Sequence, residues 1–145
     1  MKESHVPCVV FSDYPIKQIG YARFLKSLSE KTVALFNEYP SGEMLEFSNA
    51  GLVIFDMNID AEHEHRYRQS LMRVFPKANV LFMEENHGDL HYQLIHKRDV
   101  CCLGKLAEVG TIHACIKDLL LRNAASRSRS SKKTNLTDRP DTEMV

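Results

Sequence analysis

The amino-acid sequence predicts an α/β domain in which a parallel sheet of five strands carries helices on both faces. Three observations carry this expectation. Short runs that are apolar on consecutive residues recur along the chain: CVVF (8–11), TVALF (32–36), LVIF (52–55), NVLFM (79–83) and DVCCL (99–103). They lack the polar alternation of a sheet with one wet face, so they suit strands covered on both sides. Between them lie longer segments of helical period, and strand followed by helix, repeated, predicts a right-handed, doubly wound arrangement. The commonest such order for five strands is flavodoxin-like, 2-1-3-4-5.

The helices follow in chain order. Ile16, Ile19, Phe24, Leu25 and Leu28 fall near helical spacing after Pro15, a residue well placed in a first helical turn. SGEMLEF (41–47) reads as a short second helix, DAEHEHRYRQSLMRVF (60–75) as a third and GDLHYQLIH (88–96) as a fourth. In AEVGTIHACIKDLLL (107–121), Val109, Ile112, Ile116, Leu119 and Leu120 share one face of a final helix. After Leu121 the composition changes. Residues 122–135 contain no apolar side chain larger than alanine, and Arg122, Arg127, Arg129, Lys132 and Lys133 meet no acid, which predicts a solvated linker.

At 145 residues the chain has length for one domain with a real core. The balance of 19 basic against 19 acidic residues excludes a general attraction to nucleic acid or membrane. No run approaches the roughly 18 consecutive apolar residues of a bilayer span, and the N-terminus lacks a signal-type apolar region, so a cytoplasmic protein is expected. The four cysteines, Cys8, Cys101, Cys102 and Cys115, show no CxxC spacing and read as small core hydrophobes. No G-x-G-x-x-G turn follows the first strand, and Cys101 and Cys102 sit inside a strand, so an enzyme is not expected.

In an open parallel sheet, function gathers beyond the carboxyl ends of the strands. Strand one ends at Ser12 and Asp13, strand three at Asp56 and strand four at Glu84, and Lys105 follows strand five. Acids and one lysine are thus expected on a single rim.

These residues, in this order, resemble the receiver domain of LuxR/FixJ-type response regulators. SDYPIKQIG keeps an acid at Asp13, with Pro15 and Gly20; VIFDMNI offers Asp56 at the phosphoacceptor position; VFPKANVLFM matches the fourth strand with its leading Phe75-Pro76; and DVCCLGK supplies Lys105. The resemblance covers residues 6–122. It implies a CheY-like receiver domain over residues 1–122, a basic Ser/Arg-rich linker over 123–135 and, in NLTDRPDTEMV, the start of a truncated LuxR-type helix-turn-helix over 136–145. DNA contact would then require the remainder of that C-terminal domain.

In that family two acids after strand one join the acceptor aspartate in holding Mg²⁺, a hard cation that wants oxygen ligands. Here Ser12 replaces one acid, leaving Asp13, Asp56 and the Asn58 backbone carbonyl as a weak Mg²⁺ set at most. Glu84 stands where the family carries Ser or Thr, and a carboxylate roughly 4 Å from a bound phosphate would oppose it by about 4 kcal/mol at an effective dielectric near 20. Glu84 beside Lys105 is expected instead to form a permanent ion pair. The resemblance therefore implies an atypical, phosphorylation-independent receiver, akin to auxiliary regulators that pair with a full response regulator. A working phosphoacceptor with Asp56 phosphorylated, and a truncated antagonist that titrates a partner, are the alternatives. Tyr92, Ile95, Ile112, Ile116 and Leu119 are the expected surface for a homodimer or a heterodimer with another response regulator. His63 and His65, at i,i+2 on a helix, point to different faces and make a poor chelate.

Overall fold

The computed structural model describes residues 8–29, 33–84, 91–95 and 98–135. The first apolar run forms β1 (Cys8–Ser12), buried at all five positions, and Pro15 opens α1 (Pro15–Ser29), whose first turn is closed by the Lys17 and Gln18 amides donating to the Tyr14 carbonyl. β2 (Val33–Phe36) follows. The expected short second helix is a 3₁₀ turn (Gly42–Phe47), capped by the Ser41 hydroxyl, which accepts from the Glu43 amide; six residues are too few for an α-helix to offset its nucleation cost. β3 (Leu52–Asp56) is again buried throughout. α2 (Ala61–Val74) stops at Phe75, whose φ of −122° and ψ of 70° are non-helical because Pro76 follows. β4 (Asn79–Glu84), β5 (His91–Ile95), β6 (Arg98–Gly104) and α3 (Val109–Asn135) complete the chain.

The domain is α/β with a mostly parallel, broadly flavodoxin-like sheet, but it has six strands, in the order β2-β1-β3-β4-β6-β5. The expected fourth helix over 88–96 is the source of the difference. Within it β5 runs antiparallel to β6, with Tyr92 opposite Cys101 and Ile95 opposite Arg98. A short apolar segment is ambiguous between helix and strand, and here the open edge of β6 offers backbone partners that a lone helix would not use. The final helix also differs from expectation: its backbone continues through 123–135, the residues read as a linker. That stretch contains neither Gly nor Pro, so a helix already packed at its start extends with little penalty. The predicted helix-turn-helix start, 136–145, lies outside the described residues. Among the described residues no helix is long and apolar enough to cross a membrane.

Two cores sandwich the sheet. α1 and α3 cover one face, with Leu25, Cys115, Ile116 and Leu119 over Cys8, Val10, Leu52, Ile54, Leu81 and Cys101. α2 and the 3₁₀ turn cover the other, with Met44, Leu71, Val74 and Phe75 over Val9, Phe11, Val53, Phe55, Val80 and Phe82. All four cysteines are free and buried, as their apolar settings predict. Ile116 and Leu119, expected at an interface, are wholly buried in the first of these cores.

On the α2 face one phenylalanine per strand forms a row. Phe36, Phe11, Phe55 and Phe82 are in register across β2, β1, β3 and β4, with neighbouring ring centroids 5.5, 5.6 and 5.1 Å apart. Such contacts add to the burial of each ring. Replacing the central Phe55 by alanine is expected to cost about 3–5 kcal/mol, measured as a lower unfolding free energy in urea at unchanged far-UV circular dichroism.

Candidate functional site

Parallel pairing brings the strand ends together. Ser12 lies opposite Asp56, and Glu84 opposite Gly104, with Lys105 next in the chain. The expected rim residues therefore share one edge of the sheet, but their side chains divide between its two faces.

Asp56 turns toward α1 and is 3% exposed. Its Oδ2 accepts a hydrogen bond of 2.8 Å from the Tyr21 hydroxyl and lies 3.5 Å from Lys17 Nζ; its Oδ1 lies 3.5 Å from Lys105 Nζ. Lys17 and Tyr21 are four residues apart and so share a face of α1. Lys105, 14% exposed, is the more shielded cation, and water screens more of the charge of Lys17, 41% exposed. Burial, then the charge and hydrogen bond of Asp56, hold the Tyr21 hydroxyl far above the ordinary phenol range, so it stays a donor.

The rim beside Asp56 is also linked internally. Lys105 Nζ donates to Asn58 Oδ1 at 3.1 Å, the Asn58 amide donates to Asp13 Oδ2 at 2.7 Å, and the Tyr39 hydroxyl donates to the Asn58 carbonyl at 2.6 Å. Ser12 is fully buried; its hydroxyl accepts from the Tyr14 amide at 3.3 Å, and Gln18 Nε2 ties the Ser12 and Phe36 carbonyls together at 3.1 Å each.

These donors do not suit the Mg²⁺ that the resemblance implies. A divalent cation needs a near-octahedral oxygen shell, whereas both Asp56 oxygens face ammonium groups and the Asn58 carbonyl already serves Tyr39. Among the described residues the group of three or more acidic, histidine or cysteine side chains with ligand atoms within 4.8 Å of one another is Asp60, Glu62 and His63. There His63 Nδ1 sits 2.7 Å from Asp60 Oδ1 as an i,i+3 pair on the surface.

Glu84 faces the opposite side of the sheet, toward α2, where it pairs with Arg68. Arg68 also binds Glu64 at 2.8 Å and lies over the Phe82 ring, 4.3 Å from its centroid. The expectation that Glu84 crowds the acceptor therefore needs correction: its carboxylate projects on the α2 side and Asp56 on the α1 side. Lys17, Tyr21, Tyr39 and Arg68 were not among the predicted site residues. Tyr21 did carry a signal, since a tyrosine inside an apolar helix stripe needs a partner for its hydroxyl.

Of the expected interface residues, Tyr92 donates to Asp118 Oδ2 at 2.8 Å beneath the Arg122 guanidinium, 4.3 Å from its ring centroid. Arg122 reaches both Asp118, at 3.1 Å, and Asp99, at 3.2 Å. Ile95 and Ile112 are half-buried against the two cores.

Tyr21→Phe removes a desolvated donor to a buried charge and is expected to lower stability by about 1–3 kcal/mol, read from urea unfolding at pH 7. Alkaline pH acts in the same direction. Burial, reinforced by the charge of Glu84 and opposed by Arg68, pushes the Cys102 thiol from 9.0 up to about 11. A thiol harder to ionise in the folded state contributes stability that is whole below pH 9.0 and is lost as pH rises toward about 11. The urea midpoint should fall over that window, and Cys102→Ala should flatten the fall.

No protein-family model, curated protein or solved structure matches the chain, so what the rim can do rests on its own geometry.

Proposed function

We propose that this chain is a regulatory, receiver-like module of a LuxR-type transcriptional regulator that acts by binding a partner rather than by accepting a phosphoryl group. The observation that carries this reading is the closed ion cluster on Asp56. A phosphoacceptor needs one carboxylate oxygen open to an incoming phosphorus, with a cation free to neutralise the product. Here Oδ2 is held by the Tyr21 hydroxyl and faces Lys17, while Oδ1, which accepts no hydrogen bond, lies buried 3.5 Å from Lys105 Nζ, at a residue 3% exposed. Those ammonium groups stand permanently where a phosphorylated receiver draws its cation inward. The module is then a CheY-like fold in one fixed charge state, with β5 in place of the fourth helix.

A partner surface adjoins the cluster. Ile16, 79% exposed, and Leu106, 97% exposed, are chain neighbours of Lys17 and Lys105, so apolar side chains flank the same rim. Ile19 and Val109 extend the exposed apolar surface along α1 and at the start of α3. A second copy, or another response regulator, would cover this surface; DNA would be met through a further C-terminal domain, in the cytoplasm.

Incubation with acetyl phosphate and Mg²⁺, followed by intact-mass analysis, should show no phosphoryl adduct, and beryllofluoride should leave the ¹⁹F spectrum without a bound signal. Stoichiometric modification at Asp56 would replace this reading with that of a working phosphoacceptor. In light scattering after size exclusion, the chain should associate with itself and Ile16→Glu with Leu106→Glu should reduce it to a monomer; a monomeric parent chain, or an unchanged assembly in the variant, would remove the rim as the homodimer surface.

A further inference from the structure

On the α2 side of the sheet a cavity of about 520 Å³ opens where β5 has taken the place of the expected helix. Its floor is apolar, made by Phe82 on β4, Ile95 on β5 and Val100 on β6, and Met72 adds an apolar wall from α2. Its polar groups are Arg68, Arg73 and Arg98, with His65 and Gln69 beside them, and none is acidic. Its size is that of a small-molecule site, with an apolar floor for a ligand's body and polar groups around it to set orientation.

The charges in it are unequally met. Arg68 is paired with Glu64 and Glu84. Arg98 is 7% exposed, and its Nη1 donates to the Phe75 carbonyl at 3.0 Å and the Met72 carbonyl at 3.3 Å. Its Nε is buried without a hydrogen-bond partner, and among the described residues no carboxylate pairs with this guanidinium. Arginine stays charged in proteins, and a buried charge lacking a counterion is costly. Arg73 lies exposed on the same wall, also without a carboxylate among the described residues.

We propose that this cavity binds a small amphipathic anion, with a carboxylate or phosphate head reaching Arg98 and Arg73 and an aliphatic or aromatic body lying on Phe82, Ile95 and Val100. The anion offsets the Arg98 charge, which no carboxylate among the described residues meets, and its body covers the apolar floor. Neutral apolar molecules lose the first contribution and inorganic phosphate loses the second, so selectivity requires both halves. Arg68 lines the cavity and holds Glu84, which places the ligand one side chain from the rim. The site does not depend on whether Asp56 can be phosphorylated.

Isothermal titration of the full chain with octanoate and with 1-naphthoate tests this. At least one should bind saturably at one per chain, with octanol and inorganic phosphate each weaker by about tenfold or more, the scale of one charge-assisted hydrogen bond. Ile95→Trp, which fills the floor, should abolish binding. Arg73→Gln, at an exposed position that leaves the fold intact, should weaken it by about threefold. Absence of binding by both carboxylates, equal binding of octanol, or affinity unchanged in both variants would overturn the proposal.

Discussion

The register of the parallel strands is the constraint on which the rest of this molecule depends. Side chains alternate faces along a strand, so a slip of one residue would exchange core and surface everywhere. The row Phe36, Phe11, Phe55 and Phe82 holds that register on one face, with a ring from each strand against the next. Because the strands are parallel, one register aligns all their carboxyl ends, and Ser12, Asp56, Glu84 and Gly104 reach a single edge.

The same alternation decides which charges meet. Asp56 directly follows Phe55, so it leaves the phenylalanine face and meets Lys17, Tyr21 and Lys105. Glu84 comes two residues after Phe82, so it stays on that face and meets Arg68 from α2. Two acids on one edge thereby acquire separate cations on opposite sides of the sheet. For Asp56 the result is a carboxylate enclosed by its own chain, in which charge compensation is intrinsic to the fold. Burial raises the worth of the Tyr21 and Lys105 contacts with Asp56, while water screens that of the more exposed Lys17.

Exchange of a helix for β5 has a comparable reach. An added antiparallel strand satisfies the backbone edge of β6 through five residue pairs, Ile95 to Arg98 through His91 to Cys102. A strand, unlike a crossover helix, does not cover the sheet's face. The apolar floor at Phe82 and Val100 and the buried Arg98 are the consequence, and they place a basic, ligand-sized hollow beside the residue that holds Glu84.

The order of elements up to β4, the doubly covered strands, the buried cysteines and the gathering of Ser12, Asp13, Asp56, Glu84 and Lys105 at one edge were all legible in the linear pattern. Consecutive apolar residues and helical spacing are local signals, and parallel topology follows from them by general rules of chain connection. What local pattern could not supply was the choice between states of similar local preference and the direction of each rim side chain. Residues 91–95 became a strand because β6 offered an edge, and α3 ran on to Asn135 because a packed start made propagation cheap. Sequence alone determined which residues reach the rim; tertiary structure decided that Asp56 meets Lys17 and Tyr21 while Glu84 meets Arg68, because pairing across a sheet depends on register and on the helix packed above it.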